Sequence, residues 1–251
     1  MLHHTTIGNG LAVTFIHGFT QTGQSWSPVL EQMDIALSAT LIDAPGHGDS
    51  LNGKRSLTQT AADITEAMTP GVLVGYSMGA RMALHVALQS PHTVTALVLI
   101  SGTAGIDSDD ERTTRLESDT VLASRIIDIG VAAFIEEWLA LPMFARLTKD
   151  AANIPERLRN TAEGLADSLV YAGTGTQTPL WGSLAKLNMP VLLIAGELDH
   201  KFVAQATRMH ELIPNSEIHI VKNAGHTVQL EQTEVFTTLL KNFITSGNSE
   251  K

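Results

Sequence analysis

The chain has 251 residues, 43% of them hydrophobic and 17% charged, and 16 Lys and Arg against 26 Asp and Glu leave a net charge of −10. Those values exclude a disordered protein, and the acidic balance argues against nucleic acid or an anionic membrane surface as the main partner. With no cysteine, disulfides, thiol nucleophiles and zinc–thiolate sites are excluded together.

Apolar runs of strand length alternate with helical patterns, which predicts a mostly parallel sheet covered by helices on both faces, an α/β fold. In chain order the spacing predicts strand 11–16, helix 26–37, strand 40–42, helix 57–68, strand 72–75, helix 78–89 and strand 96–100. After a long gap come strand 191–195, helix 202–212, strand 217–221 and helix 233–244. The gap, from about 107 to 187, has no strand signal but carries amphipathic helical segments at 120–129 and 131–139, punctuated by Pro142, Pro155 and Pro179. It reads as a helical lid inserted between core strands, leaving 1–106 and 188–251 as the core. Only about ten residues precede the first core strand, so any opening β-hairpin is abbreviated, and the polar tail 245–251 is expected to fray. No apolar run is long enough to span a bilayer and no signal-peptide pattern opens the chain. The expectation is a soluble cytoplasmic protein, a monomer or weak homodimer.

Strand 72–75 runs into Gly75-Tyr76-Ser77-Met78-Gly79, a Gly-x-Ser-x-Gly motif that opens a helix. A serine on such a sharp strand-to-helix corner projects its hydroxyl above the sheet edge, and small residues on either side keep crowding away. A serine hydroxyl needs a histidine to take its proton and a carboxylate to orient that histidine. Strand 191–195 ends in Gly196-Glu197-Leu198-Asp199 and strand 217–221 ends in Lys222-Asn223-Ala224-Gly225-His226, so both partners follow successive strands in the order this architecture requires. Taken singly, Asp199 would cap the next helix, His226 would be a solvated histidine, and Glu197 is the competing carboxylate. Together they read as a Ser77–His226–Asp199 triad. His17-Gly18-Phe19 closes the first core strand; the Phe19 amide, with that of Met78, would form an oxyanion hole, and the His17 side chain would support the loop.

At these residues the chain resembles the α/β-hydrolase superfamily along nearly its whole length, including Asp43-Ala44-Pro45-Gly46-His47-Gly48. More narrowly it is similar to the 2-succinyl-6-hydroxy-2,4-cyclohexadiene-1-carboxylate (SHCHC) synthases of menaquinone biosynthesis, the MenH family. The similarity lies in Gly75 to Arg81, with Ala80 where that family usually has Gly, and in Glu111 to Arg115. It continues through Phe134, Trp138, Tyr171 to Gly175, Pro179 to Trp181 and Gly196 to Phe202. The resemblance implies a lyase that eliminates pyruvate from an enolpyruvyl cyclohexene carboxylate bearing three carboxylates, with the triad serine abstracting a ring proton.

Arg81 stands four residues after Ser77, hence on the same helix face, where a guanidinium suits carboxylates better than neutral esters. The resemblance adds Arg115 and a third arginine, Arg159, with Arg157 as its competitor; Tyr76 and Trp138 would line the pocket. Against each arginine stands the ordinary alternative of a surface salt bridge. No metal-ligand spacing and no Gly-rich phosphate loop is present, so neither metal nor cofactor is expected. The competing functions are a carboxylesterase or carbon–carbon bond hydrolase using the same triad, and a non-catalytic small-molecule receptor on the same scaffold.

Overall fold

In the computed structural model, which describes residues 1–246, each apolar run becomes a strand of one sheet. The strands are β1 (His4–Ile7), β2 (Leu11–Ile16), β3 (Leu37–Ile42), β4 (Gly71–Tyr76), β5 (Val94–Ile100), β6 (Val191–Gly196) and β7 (Ser216–Val221). Their order is β1-β3-β2-β4-β5-β6-β7. Neighbours from β3 to β7 pair in parallel, whereas β1 runs antiparallel to β3, His4 facing Ile42. Strands β4 and β6 are buried at every position, as expected of runs covered on both faces.

The helices are α1 (Ser27–Gln32), α2 (Leu57–Ala67), α3 (Met78–Gln89), α4 (Asp109–Leu139), α5 (Lys149–Ala152), α6 (Ile154–Arg157), α7 (Ala162–Ala172), α8 (His200–Leu212), α9 (Val228–Glu231) and α10 (Thr233–Ser246). One face of the sheet packs Ile64, Met82 and Met209 of α2, α3 and α8; the other packs Val29, Phe236 and Leu240 of α1 and α10. The region inserted between β5 and β6 is helical and has its own cluster, with Ile126, Phe134 and Ile135 of α4 against Leu165 and Leu169 of α7. No helix among the described residues is long and apolar enough to cross a membrane.

Four details depart from the expected elements. The predicted helix 26–37 stops at Gln32, because Leu37 is already the first residue of β3, in register with Leu11. The chain opens with β1, which is not half of a hairpin with β2: the turn through Gly8 (φ 76°) carries it to the outer edge of β3. Element α4 comprises the two helical segments predicted on either side of residue 130, which meet at a kink where Gly130 takes φ 75° and ψ 168°. It begins earlier than predicted, at Asp109, where Ser108 accepts a capping bond from the Glu111 amide at 3.3 Å. Thr245 and Ser246 belong to α10, and the rest of the predicted tail lies outside the described residues.

Parallel strands place all their C-terminal ends on one edge of the sheet, where open α/β sheets hold ligands. Here that edge gathers the residues after β2, β4, β6 and β7, and the inserted helices stand beside it.

Candidate active site

Ser77 leaves β4 and enters α3 in a conformation that side chains rarely adopt, φ 52° and ψ −106°. Two close approaches explain the flanking glycines. A Cβ on Gly75 would strike the Gly79 carbonyl, and one on Gly79 would strike the carbonyls of Ile16 and His17. Ala80 makes the elbow tighter than glycine would, and the facing residue is Gly102, whose added Cβ would lie only 2.7 Å from that of Ala80.

Ser77 Oγ lies 2.9 Å from His226 Nε2, and His226 Nδ1 lies 2.6 Å from Asp199 Oδ2. The Asp199 side chain makes no capping bond to α8; its carboxylate is turned to the imidazole instead. Glu197 is engaged elsewhere, accepting the Asn223 amide at 3.1 Å and so bracing the loop that carries the histidine. That loop is held tightly. Glu231 accepts the amides of Gly225 (2.5 Å) and Thr227 (2.9 Å), and Ser101 Oγ donates to the His226 carbonyl at 2.8 Å. His226 itself is 2% exposed, with the Phe202 ring centred 4.7 Å from its own.

Two buried histidines shape the loop after β2. His17 Nε2 accepts the Ala44 amide at 3.0 Å, and His47 Nε2 accepts the Thr20 amide at 3.2 Å, so each loop supplies the acceptor for the other. Their remaining nitrogens point at the carbonyls of Gly18 (2.7 Å) and Pro45 (3.0 Å), which fixes both rings as neutral Nδ1–H tautomers. Burial lowers the pKa of both, and with His17 alongside brings His47 down to about 3. The Thr20 amide is thereby occupied, and the Gly18 amide donates to Gln21 Oε1 at 3.0 Å. The Phe19 amide between them, like that of Met78, has no protein acceptor among the described residues. Both residues line the cavity beside Ser77.

That cavity has a volume of about 210 Å³. Arg81 lines it with its guanidinium buried, Nη1 donating to the Ala172 carbonyl at 2.8 Å, and no carboxylate within ion-pair distance among the described residues. Burial, helped by the neighbouring charge of Arg115, brings its pKa down to about 10, so it remains a cation at neutral pH. Arg115 also lines the cavity and gives its Nε to Asp119 at 2.8 Å, leaving both Nη nitrogens without a protein partner among the described residues.

The third arginine beside Ser77 is Arg157 and not Arg159. Arg157 is 3% exposed, lines the cavity, and donates to the Ala152 carbonyl (2.7 Å) and to Thr20 Oγ1. Burial brings its pKa, too, down to about 10. Arg159 turns outward to Asp49 (2.7 Å) and Glu156 (3.0 Å), the ordinary surface ion pair.

Tyr76 and Trp138 both line the cavity. The Tyr76 hydroxyl lies 3.1 Å from Thr227 Oγ1, burial pushes its pKa up, and a Cβ on Gly18 would run into its ring. Trp138 packs edge-on to Phe19, centroids 5.3 Å apart. Sequence reasoning did not pick out Lys201 and Ser168 as lining residues, or Glu231 as the clamp of the histidine loop. His85, one turn beyond Arg81 on α3, was also missed: burial and the Arg81 charge bring its pKa down to about 4, so it leaves that charge unshielded. One group among the described residues, His3, Asp43 and Asp49, has metal-ligand types within 4.8 Å of one another. None of the three lines this cavity, and Asp43 is already spent on the Gly23 and Asp49 amides and the His3 ring.

A sequence model of the alpha/beta hydrolase family matches residues 15–238. A Bacillus subtilis (strain 168) protein provisionally named 2-succinyl-6-hydroxy-2,4-cyclohexadiene-1-carboxylate synthase is 41% identical, the match covering 94% of this chain and 90% of that one. The Serratia proteamaculans (strain 568) protein of that name is 31% identical over 92% of this chain and 91% of its own. Among solved structures, MenH from S. aureus superposes with a TM-score of 0.91 at 28% identity, covering 99% of this chain and all of that one.

Proposed function

Because the chain belongs to the α/β-hydrolase family and, within it, to the SHCHC synthases, we propose that it eliminates pyruvate from 2-succinyl-5-enolpyruvyl-6-hydroxy-3-cyclohexene-1-carboxylate. The observation that carries this reading over an esterase is Arg81, a buried cation lining the Ser77 cavity with no carboxylate in ion-pair contact among the described residues. Such a group is costly in a site for neutral esters and useful in one for a trianion.

The names of substrate and product define the electron flow. The ring C2–H lies next to the succinyl ketone, so its proton is the acidic one. Ser77 Oγ takes that proton as its own passes to His226 Nε2, and Asp199 holds the resulting imidazolium. The C2–H electrons form the new C2=C3 bond, the former C3=C4 pair becomes C4=C5, and the C5–O bond breaks to release enolpyruvate, which takes up a proton and becomes pyruvate. Charge developing on the succinyl ketone oxygen is met by the Phe19 and Met78 amides. Arg81, Arg115 and Arg157 receive carboxylates. The inserted region, 107–187, acts as the lid, with Phe144 edge-on to the His226 ring and Trp138 packed behind Phe144.

The test is pyruvate release from enzymatically generated substrate, measured for wild type, Ser77→Ala, His226→Ala and the double variant. Each single change should lower kcat by orders of magnitude and the pair by little more, because the members act as a unit. Folded wild-type protein that releases no pyruvate above the spontaneous rate would overturn the assignment. Efficient turnover of nitrophenyl esters with a trapped acyl-Ser77 would then favour the esterase.

A further inference from the structure

A second cavity of about 450 Å³ adjoins the one beside Ser77, and the two share Thr103, Arg115, Thr174, Lys201 and Phe202 as a common wall. Its charges are unevenly committed. Arg208 is bound to Asp107 at 2.6 Å and its guanidinium lies 3.8 Å from the centre of the Trp181 ring, so its charge is paired and its plane is held against the indole. Glu111 lines the second cavity but not the first. On the shared wall stand two cations with free donors. One is the Nη pair of Arg115, whose Nε is pinned by Asp119. The other is Lys201, whose Nζ lies 5.7 Å from the centre of the Phe202 ring and has no carboxylate within ion-pair distance among the described residues.

Resting on the lyase reading above, we propose that this second cavity is the subsite for the substrate's succinyl arm, with its terminal carboxylate received by Lys201 and Arg115. Of the three carboxylates only this one can leave the reaction chamber. The ring carboxylate is bonded directly to the ring, and the pyruvyl carboxylate sits one carbon beyond the ether oxygen that must break beside Ser77. The succinyl carboxylate lies two methylenes beyond its ketone, on a flexible tether. With the ketone oxygen at the Phe19 and Met78 amides, that tether has the longest reach of the three. A carboxylate arriving at the shared wall finds a point charge from Lys201 and a planar donor pair from Arg115, complementary ways to bind one acid. Lys201 is thus a specificity residue: it acts on the arm, away from the breaking bonds, and contributes binding common to ground and transition states.

The experiment compares wild type, Lys201→Met and Lys201→Arg; Lys201 is exposed, so folding is not at stake. Binding of 4-oxo-4-phenylbutanoate, which carries the same arm on a ring, is measured by calorimetry beside that of its primary amide, together with KM and kcat for pyruvate release. Lys201→Met should weaken binding of the acid and raise KM, each roughly tenfold, leave the amide unchanged, and hold kcat within about twofold; Lys201→Arg should restore both values. The proposal is overturned if Lys201→Met leaves acid affinity and KM at wild-type values, if acid and amide lose affinity equally, or if wild type does not bind the acid. Lys201-dependent acid binding by a wild type that releases no pyruvate would support the subsite while overturning the reaction. Normal KM in Lys201→Met with normal pyruvate release would overturn the subsite and leave the reaction standing.

Discussion

The two carboxylate oxygens of Glu231 take the backbone amides on either side of His226, Gly225 at 2.5 Å and Thr227 at 2.9 Å. The imidazole is therefore located by an acid that never touches it. Glu231→Ala releases both amides while leaving Ser77, His226 and Asp199 in the chain. A misplacement of about 1 Å at a reacting group costs on the order of 100-fold in rate. We expect kcat to fall between about 10- and 100-fold with KM little changed, and stability to drop by roughly 1–3 kcal/mol per amide left buried without an acceptor. Steady-state kinetics beside a thermal melt separates the two effects.

Arg157 and Arg159 are two residues apart and face opposite ways. Arg157→Ala should lower kcat/KM by about 2–5 kcal/mol equivalent, as should Arg81→Ala, since each leaves a buried carboxylate of the bound substrate unpaired. Arg159→Ala removes an exposed ion pair worth ~0–1 kcal/mol and should leave kcat/KM near the wild-type value. Equal losses for Arg157→Ala and Arg159→Ala would mean that the outward ion pair breaks open when substrate binds.

The His47 ring is held neutral in the fold, its pKa brought from 6.5 down to about 3 by burial and the neighbouring His17. The unfolded chain binds the extra proton first, at pH below about 6.5, whereas the folded chain resists it down to about 3. The stability that His47 contributes is complete above pH 6.5 and is lost progressively as pH falls toward 3. The loss is on the order of a few kcal/mol. Denaturant titrations of wild type and His47→Gln across that window should converge as the pH drops. Parallel curves would show that the ring does not titrate as described.

Ala80 and Gly102 form a matched pair, and their roles should exchange. Gly102→Ala alone sets two Cβ atoms 2.7 Å apart, an overpacking that costs roughly 1–3 kcal/mol. With Ala80→Gly in the same chain, the nearest atom left is the residue 80 Cα at 3.9 Å, ordinary contact. The double variant should recover most of the lost melting temperature, and failure to recover it would place the strain elsewhere.

Ser77, Asp199 and His226 were legible in the amino-acid order because each follows its own apolar strand, and parallel strands bring their ends together whatever lies between them. Arg81 was legible for a related reason, since α3 carries it unbroken one turn beyond the serine. The third arginine was not. Between α5 and α6, Asn153 takes a left-handed conformation, φ 45°, which resets the helical phase, so spacing cannot tell which arginine points inward. Strand β1 escaped notice because His4-Thr5-Thr6-Ile7 is short and largely exposed, with no alternation of apolar residues to announce it. The second cavity was equally hidden, because its wall joins residues from α4 and α8 that are remote in the chain.

Arg81 and Arg157 meet carbonyl and hydroxyl oxygens rather than acids, and this has a thermodynamic cost for the fold. Burial works against both charges, so the protein gives up part of its resistance to heat in order to hold them in the interior. A diacid of fitting length repays that loss when it binds. Melting curves recorded against a series of simple dicarboxylic acids would then rank ligands by length, with no need for the labile natural substrate.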